Sequence, residues 1–373
     1  MIFYYQWQSL MGEGVRTGLE EAELAYEIFD YQPASPEAWE ADDRFLSECR
    51  AALDKKAYDK AFSINFHPLL SALCEEKGIP YISWIYDAPL HIRDLKPLKN
   101  SCNHLYFFDR GEAESYAAQG IKAQYLPLAG YTGMHPGKLP VDKEISLVGQ
   151  LYQTEYAHYM RPLPDEKKGW FEGILAAQLK VYGGYFLPDL LTPSLMDQLN
   201  DVYRRASNGT AGIEARELEY LLACEVTSRE RFLALALLSQ EHDTHVFGAK
   251  SKEGLEKVSF HPYADYYSLM PKVFASSRIN LNITLKCIRT GIPLRVFDVL
   301  SCGGFLLTNF QAELPEYFEI GKDLVVYQDL EELKYLADYY LKNEDARQMI
   351  AESGYQKVKE AYTFAARLKE MLK

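Results

Sequence analysis

Residues 278–309 constrain the fold more than any other stretch of the chain. They run Arg278-Ile-Asn-Leu-Asn-Ile-Thr284 and then, after a short gap, Thr290-Gly-Ile-Pro-Leu-Arg-Val-Phe-Asp-Val-Leu-Ser-Cys-Gly-Gly-Phe-Leu-Leu-Thr-Asn309. The pattern is strand, glycine-containing loop, helix, glycine turn, strand. Two strands joined through a helix pair in parallel and belong to a sheet covered on both faces. The start of such a helix turns free N–H groups and the positive end of its dipole toward whatever lies beyond the first strand, a ready seat for phosphate. Arg295 falls in the first helical turn and Asp298 three residues on, so both project from one face. They read as a cation for a diphosphate and a carboxylate for ribose hydroxyls, or, more plainly, as a helical ion pair worth a few tenths of a kcal/mol.

The chain has 373 residues, more than one hydrophobic core usually supports, so two α/β domains are expected. Strand-like runs at Ile2–Trp7, Phe29–Tyr31, Ala61–Phe66, Tyr81–Tyr86, Leu105–Phe108 and Gln124–Leu128 alternate with helical patterns. Thr17-Gly-Leu-Glu20 is a capping-box pattern, predicting a helix from there to Phe29. Residues 130–143, dense in glycine and proline, read as a linker, dividing the chain into an N-terminal domain over 1–140 and a C-terminal one over 141–373. A strand at Ile145–Gly149 opens the second domain. A helical insertion follows over about 160–226, and strands resume at Thr244–Phe247, Lys257–Phe260, Arg278–Ile283, Gly304–Thr308 and Asp323–Tyr327. Ligands of open α/β sheets bind beyond the carboxyl ends of the strands, so two such domains suggest a clamp around a nucleotide-like molecule.

Composition narrows the partners. A net charge of -13 repels nucleic acid and anionic membrane surfaces alike. The six cysteines show no metal-ligand or redox spacing. The longest apolar run, Phe232–Leu238, is far short of the ~20 residues needed to span a bilayer. The chain opens on what reads as a strand rather than a signal peptide, and a reducing cytoplasmic setting is the default expectation.

Several motifs carry a resemblance. Asn280–Thr284, Gly291–Asp298 and Cys302–Asn309 resemble the CgeB-like (spore-maturation type) glycosyltransferases of the GT-B superfamily, as do the softer pieces Ile79–Pro89, Tyr106–Arg110, Tyr125–Ala129 and Ile145–Tyr152. The resemblance implies two Rossmann-like domains facing across a cleft. The second would hold the sugar nucleotide, the first the acceptor, and the last helix would pack back toward the first domain. It also implies catalysis without a bound metal or cofactor, and the sequence contains no Asp-x-Asp triplet. Charge on the departing diphosphate would then fall to Arg295, with Arg289 or Lys286, and to backbone amides. Many retaining members carry a Glu-x7-Glu pair; aligned on Asp298, its first position holds Thr290. That departure favours inversion.

Other candidates each have a plain reading beside the functional one. Gly149 and Gln150 end the first strand of the second domain, where an absent side chain admits a donor or simply turns the chain. Asn280 and Asn282 alternate on one strand face and either reach the cleft or satisfy loop backbone. Tyr263 lies where the superfamily holds the nucleobase, Gly303 and Gly304 suit a helix stop, and Asn309 follows a strand. For the acceptor's base the candidates, in order, are Asp87, His67 and Glu13, with Asp109 a further carboxylate after a strand. Asp87 and His67 read equally as turn or helix-start residues.

The expectation is a metal-independent, inverting glycosyltransferase. It would move a hexosyl or deoxyhexosyl group, such as glucose, N-acetylglucosamine or rhamnose, from a UDP or dTDP donor. The acceptor would be a hydroxyl of a protein, glycan or small molecule. Rivals are a non-catalytic sugar-nucleotide binder or structural protein, and a sugar-nucleotide epimerase.

Overall fold

A computed structural model describes residues 1–35, 39–90, 92 and 94–373. The chain begins β1 (Ile2–Gln6), α1 (Gly12–Glu21), β2 (Tyr26–Asp30), α2 (Asp43–Leu53), β3 (Lys60–Ile64), α3 (Pro68–Lys77), β4 (Tyr81–Ile85), β5 (Asn103–Phe107), α4 (Arg110–Ala117) and β6 (Ala123–Tyr125). Next come β7 (Lys143–Val148), α5 (Tyr156–Met160), α6 (Asp165–Leu179), α7 (Leu187–Leu190), α8 (Pro193–Ala206) and α9 (Ala215–Leu238). It continues through β8 (Thr244–Phe247), β9 (Ser259–His261), α10 (Met270–Ser276), β10 (Ser277–Asn282), α11 (Leu294–Ser301), β11 (Leu306–Asn309) and α12 (Leu314–Tyr317). The last elements are β12 (Val325–Tyr327), α13 (Leu330–Lys342), α14 (Glu344–Ala361) and α15 (Phe364–Leu372).

The described residues form two parallel six-stranded sheets, ordered β2-β1-β3-β4-β5-β6 and β12-β11-β10-β7-β8-β9. Both orders reverse beside a central strand, the arrangement that opens a crevice at the strands' carboxyl ends. One compact unit comprises Met1–His135, Gly291–Ser301 and Tyr355–Lys373; the other comprises Pro136–Thr290 and Cys302–Gly354. The sequence division near 140 leaves all later residues in one domain, whereas α11 and α15 group with the first unit.

The first unit's core packs Phe3, Tyr5, Phe45, Phe66, Tyr81 and Phe107 between sheet and helices. In the second, Ile145, Leu147, Val246, Ile279 and Leu307 form the sheet core, and the insertion α5–α9 has a separate one around Phe171, Leu175, Leu199 and Leu222. Local signals set several helix ends. Pro193 opens α8 behind a Thr192 cap, and Gly78 closes α3 in left-handed backbone at φ 66.

The capping-box expectation at Thr17 fails, because that motif lies inside α1, which starts at Gly12 so that Val15 and Leu19 face the core. The helix cannot run to Phe29: Glu23 turns left-handed and Tyr26 already pairs beside Ile2. The tail over 344–372 holds two helices, and Thr363 accepts from the Ala366 amide and caps the second.

Candidate functional site

In the first unit β3 and β4 pair Ser63 with Ser83 and Ile64 with Trp84, so the residues just past them meet. Asn65 turns into left-handed backbone at φ 57, which a short polar side chain tolerates by bonding locally. Its Oδ1 accepts from the amides of Tyr86 (3.0 Å) and Asp87 (3.3 Å), and its Nδ2 donates to Asp87 Oδ2 at 2.6 Å. The Asp87 carboxylate is thus half-buried and fixed at the end of β4. Glu13, by contrast, is exposed in the first turn of α1, 3.8 Å from Arg16.

His67 is not placed to act as a base. Its Nδ1 accepts from the Leu70 amide at 3.3 Å as the cap of α3, and its ring lies 4.4 Å from Phe45 and 4.5 Å from Trp39. It is 1% exposed, and burial pushes its pKa down to about 3, with Asp42 opposing weakly. The plain helix-start reading of this residue is the one the structure contains.

Gly291 sits where only glycine fits: a Cβ there would stand 2.8 Å from the carbonyl oxygen of Phe108 and the Cα of Asp109. Its amide lies 3.5 Å from Asp109 Oδ2, so the negative charge that this N–H meets is the protein's own carboxylate. Asp109 is fully buried and also caps α4 through the Glu112 amide at 3.0 Å. Within α11, Arg295 Nη1 reaches Asp298 Oδ2 at 3.2 Å, with Asp298 buried. The plain ion pair is therefore formed. Gly303 follows in left-handed backbone at φ 70, a helix stop, and Gly304 leads into β11.

Thr290, standing where the retaining pattern has its first glutamate, donates to Glu313 Oε1 at 2.6 Å. The Glu313 amide returns a bond to the Thr290 carbonyl at 3.2 Å, and Glu313 is 1% exposed. A carboxylate absent at 290 is thus delivered beside it from the segment after β11.

The asparagines of β10 are tied into the sheet and its flanking turns. Asn280 Oδ1 accepts from Ser146 on β7 at 3.1 Å, while its Nδ2 donates to the carbonyls of Phe274 (3.0 Å) and Phe305 (3.2 Å). Asn282 Nδ2 donates to Thr308 on β11 at 2.9 Å and to Thr284 at 3.1 Å. Both are buried cross-links of the sheet. Asn309 accepts from the Thr284 amide at 2.9 Å, but its buried Nδ2 has no partner. Tyr263 is largely exposed after β9.

Lys286, named as a diphosphate cation, is spent inside the protein. Its Nζ lies 2.9 Å from Glu230, both buried, and 4.5 Å from the Tyr182 ring centre. Arg289 stands 3.8 Å from Glu219, whose carboxyl burial pushes upward while that guanidinium pulls it back.

A cleft of about 1150 Å³ opens in the second unit past β7 and β8. Gln150–Thr154 line one side, Gly248–Glu253 another, and Glu225, Ser228, Arg229 and Phe232 of α9 the floor. Arg231, one residue from that floor, donates to the Gln150 carbonyl and, at 2.6 Å, to the Ile283 carbonyl. It ties the ends of β7 and β10 together, and a Cβ on Gly149 would come 3.3 Å from its Nη1. Exposed Lys250 and Lys252 outweigh the neighbouring Glu253 and leave the rim net positive, while Arg229 is balanced by Glu172 and Glu225 at 2.7 and 2.8 Å.

Sequence reasoning missed Asn65, Arg231, Glu313 and the two rim lysines. The lysines were findable, since Lys250-Ser-Lys252 follows a strand and a glycine just as Gln150 does. Arg231 was not, for nothing local marks one arginine in a long helix as the clasp between two strands.

Among the described residues one group of metal-ligand type stands out, Glu241, His242 and Asp338. Lys334 Nζ lies 3.0 Å from Glu241 and 3.2 Å from Asp338, so a cation of the protein already serves it. No helix among the described residues is long and apolar enough to cross a membrane.

Two parallel six-stranded sheets of this topology define a GT-B architecture of two Rossmann-like domains, the fold expected from the sequence. Residues 229–373 match the profile of a family described as glycosyl transferase-like. No curated protein sequence matches the chain. Among solved structures it is similar to sucrose-phosphate synthase from Thermosynechococcus elongatus, with TM-score 0.58 and 10% identity, covering 99% of this chain and 96% of that one. It is also similar to Anabaena HepE in complex with UDP and glucose, with TM-score 0.54, 10% identity and coverage of 99% and 97%. At that identity the likeness is one of fold.

Proposed function

We propose that the protein is a glycosyltransferase of the CgeB-like type, using a nucleoside-diphosphate sugar. The donor is taken into the second-unit cleft past β7 and β8. The observation that carries this reading is the cleft itself: about 1150 Å³, at the carboxyl ends of parallel strands, with Gln150 on one wall and Lys250 and Lys252 on the rim. Part of its lining, from Arg229 onward, falls in the segment that matches the glycosyl transferase-like profile. Uridine diphosphate is the first nucleotide to try, because the Anabaena neighbour was solved with it, and thymidine diphosphate the second.

The proposed reaction is metal-independent and inverting. Asp87 takes the proton of the acceptor hydroxyl, the acceptor oxygen bonds to the anomeric carbon, and the nucleoside diphosphate leaves with the electron pair of the broken C–O bond. The rim lysines and neighbouring amides receive the charge that develops on it. Asn65 holds one Asp87 oxygen at 2.6 Å, the preorganisation a base needs.

Thermal melting with uridine, thymidine and guanosine diphosphates tests the donor seat. A ligand at 100 times its dissociation constant adds about 2.7 kcal/mol. The Lys250→Glu/Lys252→Glu double variant should lose the shift, whereas Arg295→Ala should keep it; the opposite pattern returns the seat to the 291–295 loop. With a bound donor sugar, slow release of free diphosphate marks a transferase and reversible isomerisation an epimerase. Binding without either marks a non-catalytic binder. Asp87→Asn should abolish turnover with nucleotide binding intact, and the anomeric configuration of the product separates inversion from retention.

A further inference from the structure

We propose that the helical insertion carries a saccharide-binding groove of its own, with Trp170 as the platform on which a sugar ring stacks. The groove runs between α6 and α8, has a volume of about 520 Å³ and shares no lining residue with the donor cleft. That volume lies in the range of small-molecule sites, ~300–1,000 Å³.

Trp170 is 37% exposed, on a helix whose opposite face buries Phe171 and Leu175 in the insertion's own core. A large aromatic with part of its surface open to water beside polar side chains is the arrangement that takes an amphipathic ligand, apolar on its face and polar at its edge. A pyranose has that character, with C–H bonds on one face and hydroxyls around the rim. Beside the indole the polar groups of the two helices are already linked. Lys167 Nζ donates to Gln198 Oε1 at 3.0 Å, and Gln198 Nε2 donates to Ser194 Oγ at 3.4 Å. Glu166 and Thr192 complete the rim.

The charge chooses among ligands. Glu166 and Lys167 cancel, and Lys167 is engaged with an amide, so the groove offers no cationic seat for a phosphate. Amide, hydroxyl, carboxylate and ammonium groups together offer both donors and acceptors, which suits a neutral, hydroxyl-rich chain. The groove thus holds a neutral saccharide. Its role, anchoring a glycan acceptor while another part of the same chain reacts, rests on the transferase reading above.

Saturation-transfer NMR and fluorescence titration of the full chain with maltohexaose, cellohexaose and chitohexaose test this. At least one should bind. Trp170→Ala should weaken it roughly tenfold or more, and Gln198→Ala, an exposed side chain whose loss leaves the melting temperature unchanged, should weaken it less. The uridine diphosphate shift should be the same in wild type and Trp170→Ala. Failure of all three sugars to bind, or equal binding by Trp170→Ala, overturns the groove. Loss of the nucleotide shift in wild type with Trp170-dependent sugar binding intact overturns the donor reading and leaves the groove standing.

Discussion

An imidazole sealed against Phe45 and Trp39 makes stability depend on pH. His67 titrates near 6.5 in an unfolded chain and near 3 in the folded one. Below 6.5 the unfolded state binds a proton that the native state refuses, so stability falls as pH drops through that window. By about pH 5 the loss from this group is roughly 2 kcal/mol. His67→Asn keeps a side chain able to cap α3 and should flatten the dependence. Urea midpoints of both proteins near neutrality and near pH 5 decide it; an equal drop in each assigns the effect to other groups. The buried Lys286–Glu230 pair behaves differently, since its two charges cover each other at 2.9 Å. Lys286→Met strands a buried carboxylate and should cost ~3–5 kcal/mol, while Lys286→Met with Glu230→Leu should recover most of it. Denaturant unfolding of the single and double variants measures this, and equal losses would mean that the pair is not where the energy lies.

At the scale of elements, α1 and α15 approach through two glycines. A Cβ on Gly14 would stand 2.6 Å from the Phe364 ring, which can turn aside; one on Gly18 would also meet Phe364 backbone at 2.9 Å. Gly18→Ala should therefore cost more than Gly14→Ala, in the ~1–3 kcal/mol range of an overpacked core, and should speed proteolysis of the C-terminal helix. A reversed order in thermal melts would show that α15 shifts as a rigid rod. The same contact explains what the sequence could reveal. Strands and their order of appearance were legible because β10, α11 and β11 each carry their own periodicity and glycine stops. The pairing of α1 with α15 was not, because two glycines in a helix do not name the residue that fills their space. Asn280 and Asn282 were left with two readings for the same reason: alternation shows that they share a face, but which partners that face meets, here Ser146 and Thr308, is decided by neighbouring strands. The positions of Gly149 and Gln150 were legible, as the strand-end rule that selects them is local: Gln150 lines the cleft past β7 and β8, and Gly149 precedes it.

At the scale of the whole molecule, chain order and compact units do not coincide, and that separates folding from donor binding. Residues 355–373 complete the first unit: the Gly130 amide donates to the Tyr362 carbonyl at 2.9 Å, Lys60 Nζ to the Leu372 carbonyl at 2.7 Å, and Phe364 stands 5.7 Å from Trp84. The cores of the second unit end at Ala351 and need none of these residues. A chain stopped after Gly354 should lose hydrogen-exchange protection in β1, β3 and β4, because the large apolar surface that α15 covers is left in water. Strands β7, β10 and β11 should stay protected. Uridine diphosphate, if seated past β7 and β8 as proposed, should bind the truncated chain as tightly as the full one, for every lining residue of that cleft lies between 150 and 253. Exchange mass spectrometry read alongside nucleotide titration separates the outcomes. Lost nucleotide affinity with β7 and β8 still protected would place the donor against the first unit and remove the cleft from the mechanism.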